Sequence, residues 1–129
     1  MKSCLDLSWQ YNTTHSPGVP VVKLEVGGVD IEPIVDTGFS GSLLIPFPLF
    51  QSLGLMTKLT ANRYSALMPD SRKLLLYTAK EEITIGSLDL EAEIHSSPAL
   101  DRKLLGRTLL RTFVATLDGK NERLTLSRG

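Results

Sequence analysis

Of the side chains that build cross-links and metal cages, the 129 residues carry few: one cysteine and two histidines. Cys4 alone cannot form an intrachain disulfide, and a zinc cage would have to be assembled mostly from carboxylates. No metal and no cofactor is expected. An excess of one charge is lacking too: fourteen basic residues balance fourteen acidic ones. No global field therefore draws the chain to nucleic acid or anionic lipid, and neither nucleic acid nor a membrane is an expected partner. No apolar run approaches the roughly 20 residues that span a bilayer, and the N-terminus alternates polar with apolar residues where a signal peptide would carry an apolar core. The chain reads as soluble, unexported and cytoplasmic, and Met1 with the compact ending reads as a complete protein. What remains is ordinary globular material, 42% apolar and 22% charged, of a length that suits one domain over residues 1–129.

The apolar residues recur with period two almost throughout, the signature of strands with one buried face. Leu5, Leu7, Trp9 and Tyr11 alternate with polar residues. Val22, Leu24 and Val26 do the same before Gly27-Gly28, whose tolerance of positive φ suits a hairpin into a strand over Ile31 to Val35. Pro46 and Pro48 introduce a short helix from Phe47 to Leu53, with Gly54 as its stop. Thr57 to Leu76 reads as two strands around a turn at Pro69-Asp70-Ser71, a hairpin that projects. Ile83 and Ile85 meet a turn at Gly86-Ser87, after which Leu88, Leu90, Ala92 and Ile94 alternate with Asp89, Glu91, Glu93 and His95; this places His95 on the solvated face. Arg107 to Thr112 suits one or two helical turns, and Phe113 to Leu117 and Arg123 to Leu126 flank a turn at Asp118 to Asn121. About eight to ten short strands with one or two short helices make a small all-β domain, closed and barrel-like or sandwich-like.

Ile34-Val35-Asp36-Thr37-Gly38 sets a carboxylate directly after a buried apolar strand, where it is costly unless used or paired. Standing alone, such an Asp-x-Gly is an aspartate capping its own turn. The run continues through Ser40-Gly41-Ser42 into Leu43-Leu44-Ile45-Pro46, and further along the chain comes Leu104-Leu105-Gly106-Arg107 followed by Thr108-Leu109-Leu110. In these two elements, and in layout from the first hairpin to the last strand, the chain resembles the retropepsin-like aspartic proteases. The resemblance implies an acid-protease fold with Asp36 as the catalytic group and Thr37 and Gly38 in its loop. Leu105, Gly106 and Arg107 would support that loop, and the hairpin tip at Leu67, Met68, Pro69 and Asp70 would be a flap over substrate. It departs from retroviral members in having no glycine at the flap tip, and in having Ser40 where an aspartate often pairs with the arginine at position 107; Ser40 is expected to bond within its own loop instead.

The chemistry has its own physical logic. Peptide hydrolysis without metal or covalent intermediate needs one group to take a proton from water and another to give one to the scissile carbonyl. Two adjacent carboxyls sharing a proton do both, because they cannot both ionise at close range. The chain holds one Asp-Thr-Gly; Asp70-Ser71 continues into Arg72 and Asp118 runs directly into Gly119. One chain therefore supplies half a site, and the expected partner is a second copy related by a two-fold axis. The expected substrate is an extended peptide or an unfolded protein. The first and last strands, near Leu5 to Tyr11 and Leu124 to Ser127, are the expected places of intersubunit pairing. Two other readings compete. Gly38-Phe39-Ser40-Gly41-Ser42 nearly matches the nucleophile elbow of serine hydrolases, with Asp89 and His95 in triad order, but the last glycine is missing and the chain is too short for that fold. The more serious rival is a protease-like fold used for peptide binding or dimerisation with weak or no hydrolysis; Asp36→Asn separates it from an enzyme.

Overall fold

Alternating apolar residues build β1 (Asp6–Gln10), β2 (Leu24–Val26) and β3 (Val29–Ile31), and glycines turn the chain between the last two, with Gly27 and Gly28 at φ of 54° and 84°. The computed structural model describes residues 6–61, 64–67 and 70–128, so Cys4, Leu5, Met68 and Pro69 lie outside the described residues. Among these there follow β4 (Ile34–Val35), β5 (Leu43–Leu44), α1 (Phe47–Ser52), a 3₁₀ turn (Leu55–Thr57), β6 (Tyr64–Leu67), β7 (Lys73–Ile85), β8 (Leu88–Ser96), β9 (Leu104–Leu105), α2 (Arg107–Leu110), β10 (Val114–Asp118) and β11 (Arg123–Ser127). No helix among the described residues is long and apolar enough to cross a membrane. The fold is all-β, as the periodicity predicts.

The strands form two sheets. The larger runs β3-β2-β7-β8-β5-β9-β4, with β6 paired to β7 off that path, and it curls back on itself because Val21 bridges to Ile34 beside β4. Inside the curl lies a core that includes Val26, Leu43, Ile45, Phe50, Ile83, Ile94 and Leu105. The smaller sheet, β1-β11-β10, packs Leu124 and Leu126 onto the same core.

The structure corrects several expectations. Residues 31–35 are not one strand: Pro33 has no N–H to give to a ladder, and β3 and β4 take different partners on either side of it. Among the described residues the first strand of the expected hairpin is Tyr64–Leu67, and Thr57 lies in the 3₁₀ turn instead; the second strand continues without a break to Ile85, because β7 meets β6 through residues 73–76 and β8 through residues 77–85. The last strand is not a free edge. β11 is the middle strand of its sheet, so its backbone groups are taken on both sides, and the open edges are β1 and β10. On β10, Val114 and Leu117 are half exposed.

Candidate active site

Asp36 follows β4, and the geometry around it is set by a strand from far along the chain. β9 lies between β4 and β5, parallel to the first with Ile34 opposite Leu104, and antiparallel to the second with Leu43 opposite Leu105. The two sequence elements that flank the candidate chemistry thus become neighbouring strands. The loop between β4 and β5 is fastened by backbone hydrogen bonds: Asp36 N–H donates to Leu105 O at 3.0 Å, Gly106 N–H to Ser42 O at 2.8 Å, Arg107 N–H to Phe39 O at 2.9 Å and Thr108 N–H to Gly41 O at 3.2 Å. Gly106 has an extended backbone (φ −101°), so its φ does not call for glycine. Closeness does: a Cβ there would overlap the carbonyl oxygens of Phe39 and Gly41.

Within the loop, Asp36 is half-buried and Thr37 and Gly38 are exposed. Gly38 N–H donates to Asp36 Oδ1 at 2.8 Å, which orients the carboxylate and leaves Oδ2 without a hydrogen-bond partner among the described residues. Arg107 reaches back along the loop, its Nη1 donating to Thr37 O at 2.6 Å, while Thr108 Oγ1 donates to Ser40 O at 2.6 Å. The Arg107 guanidinium therefore holds a backbone carbonyl where the resemblance would have offered it an aspartate. Ser40 does not close on its own loop as expected; its hydroxyl meets the Tyr64 hydroxyl at the base of the β6–β7 hairpin.

That hairpin stands over the loop and the two enclose a groove of about 740 Å³, lined by Asp36, Gly38, Phe39, Ser40, Leu44, Ala66, Leu67, Ser71, Leu100, Arg102, Leu104 and Arg107. Of the expected flap residues, Leu67 lines the groove and is 70% exposed. Asp70 does not line it; its carboxylate takes hydrogen bonds from Arg72 N and Nε at 3.1 and 2.5 Å. Ser71, at φ 69°, takes the left-handed conformation that a flap-tip glycine would adopt without strain. Leu105 and Gly106 are buried behind the loop and do not face the groove.

The largest departure from the sequence reading is His95, which is fully buried. Beyond Glu93 the strand is covered on both faces: Leu44 of β5 and Thr78 of β7 flank His95 in the sheet, and the rings of Phe39 and Tyr64 lie over it at centroid distances of 5.9 and 4.6 Å. Thr78 Oγ1 lies 2.9 Å from Nδ1, and Nε2 is buried without a partner among the described residues. Burial lowers the imidazole pKa to about 4, so the ring is neutral near pH 7. Its neighbours form a second apolar cluster of Phe39, Leu44, Ala66, Leu76 and Leu104 beneath the groove. A signal was present in the sequence: charged residues on β8 stop at Glu93, and Ile94 to Ser97 carry none.

No protein-family model and no curated protein matches the chain. Solved structures do. A retropepsin-like aspartic protease from Rickettsia conorii superposes with a TM-score of 0.73 at 24% identity, over 97% of this chain and 92% of that one. The retroviral protease-like domain of Ddi1 from Leishmania major gives 0.57 at 15% identity, over 84% and 87%. EIAV protease, solved with the inhibitor HBY-793, gives 0.56 at 13%, over 80% and 92%. The chain has the retropepsin-like fold.

Proposed function

We propose that this chain is an aspartic endopeptidase that hydrolyses peptide bonds with a water molecule held between two Asp36 carboxylates, one from each subunit of a homodimer. The observation that carries the reading is the position of Asp36: it opens on the groove beneath a projecting hairpin, on a loop fixed by backbone bonds to β9 and α2. In the dimer the two carboxyls share one proton, and the pair titrates as a unit. The ionised member takes a proton from water as the oxygen attacks the scissile carbonyl carbon, the protonated member gives its proton to the carbonyl oxygen, and collapse of the tetrahedral species returns a proton to the leaving nitrogen. Gly38 N–H fixes Oδ1, so Oδ2 is the oxygen available for this exchange. Thr37 would bond across the axis, since its hydroxyl has no partner among the described residues. The open edges of β1 and β10 are the proposed places of intersubunit pairing. An extended peptide would lie beneath Leu67 as an added strand, shielded from water by the hairpin.

The test is cleavage of an unfolded protein by the purified chain from about pH 3 to 7, beside Asp36→Ala and with a hydroxyl-containing transition-state mimic. The expected result is turnover that the mimic blocks and that falls about a thousand-fold or more in the variant. A folded dimer that cleaves nothing across that range would replace the enzyme with a peptide-binding module of the same fold.

A further inference from the structure

The chain as a whole is neutral, but the groove is not. Among the described residues its charged lining consists of Asp36, the reacting group in the reading above, and two arginines. Arg107 is engaged with Thr37 O. Arg102 is different: it is exposed, lines the groove, and makes no side-chain hydrogen bond or ion pair among the described residues. It stands between Leu100 and Leu104, which line the same wall, whereas its neighbour Lys103 faces a separate surface depression with Glu25 and Glu32. The segment before β9 therefore presents apolar, basic and apolar side chains in turn to whatever occupies the groove. An unpaired guanidinium beside an apolar floor is complementary to a carboxylate carried next to an apolar side chain, and Arg suits that partner because its planar fork can grip both oxygens.

We infer that Arg102 is a specificity-determining residue that selects peptides bearing an aspartate or glutamate beside an apolar residue at the cleavage site. The inference rests on the proposed peptide-cleaving reading, and in a two-fold dimer it places one such guanidinium on each side of the scissile bond. Lysine at the same peptide position meets like charge and is disfavoured.

The experiment uses fluorogenic peptides with one apolar scissile pair and Glu, Gln or Lys at each nearby position in turn, assayed at about pH 6, where a glutamate is ionised. The parent is expected to prefer Glu over Gln by about 5- to 10-fold in kcat/KM, as a partly solvated charge-assisted contact allows, and the preference should shrink as salt rises. Arg102→Gln is expected to erase the Glu-to-Gln ratio and Arg102→Glu to turn the selection towards Lys. The same peptides, titrated onto Asp36→Asn, report binding without chemistry. Glu-selective binding in the absence of parental turnover would uphold the role of Arg102 and remove only the hydrolysis. Cleavage blind to charge, or a ratio unmoved by Arg102→Glu, would overturn the inference and leave the protease standing; neither cleavage nor binding would overturn both.

Discussion

The two walls of the groove are built on different principles. The wall that carries Asp36 is held by the backbone: four main-chain hydrogen bonds tie residues 36–42 to residues 105–108, and no side-chain change can remove them directly. The wall that covers Asp36 is a two-stranded ribbon whose β6, among the described residues, pairs with β7 alone, through four residue pairs. Its inner side chains, Ala66 and Leu76, are buried, while Leu67 is largely and Leu75 half exposed. Two-stranded ribbons are marginal without a packed face, so this wall rests on Phe39, Leu44 and Leu104, against which its Tyr64, Ala66 and Leu76 pack. Under the proposed function, the contrast is between a part that must hold still, because proton transfer depends on carboxylate placement, and a part that must move to admit a peptide.

Substitutions sharpen this contrast in order of size. Gly106→Ala attacks the fixed wall where backbone meets backbone. The added methyl would press on the carbonyl oxygens of Phe39 and Gly41, neither of which can rotate away, and the expected loss is about 4 kcal/mol, near the top of the range for single changes. Urea denaturation checks it, and a stability within 1 kcal/mol of the parent would show that the loop can retreat after all.

His95 tests the seam between the walls. Its folded pKa of about 4 lies below the unfolded value of 6.5, so the unfolded chain takes up a proton first. The contribution of the neutral ring is fully present above pH 6.5 and is lost as pH falls through about 4. At about 1.4 kcal/mol per unit that amounts to roughly 3 kcal/mol. The groups against the ring are the Thr78 hydroxyl, the Tyr64 phenol and the Phe39 ring, and burial among them sets the direction. Chemical denaturation from pH 7 to 4 is expected to show this loss in the parent and not in His95→Phe; parallel curves would mean that another group governs acid lability.

The smallest effect belongs to the covering wall. Leu67→Gln on the hairpin should leave stability within about 0.5 kcal/mol, because its side chain is mostly in water. Under the proposed function it should raise KM for peptides with apolar flanks by a few-fold with kcat kept. A change in stability as large as that of Gly106→Ala would show that the hairpin is structural and not a cover.

Much of this was legible in the chain itself. Period-two alternation marked β1, β2 and β8, the glycine pair at 27 and 28 marked a hairpin, and the Asp-Thr-Gly run with the later Leu-Leu-Gly-Arg marked the candidate site. These are local signals: side-chain alternation follows from strand geometry, and a turn needs residues that tolerate its φ. The groove-lining Leu100 and Arg102 were within reach of the second element but carry no pattern of their own.

What the chain alone could not express is which strands meet. The insertion of β9 between β4 and β5, the reason position 106 must be glycine, the enclosure of β11 between two neighbours and the burial of His95 all depend on contacts between segments distant in sequence. His95 shows the physical reason most directly. Alternation assigns a residue to one face of its strand, but only the packing of β5, β7, Phe39 and Tyr64 around it decides whether that face meets water. Sequence determined the strands, the turns and the single carboxylate; tertiary structure decided which backbone holds that carboxylate, which face of β8 is dry and which arginine looks into the groove.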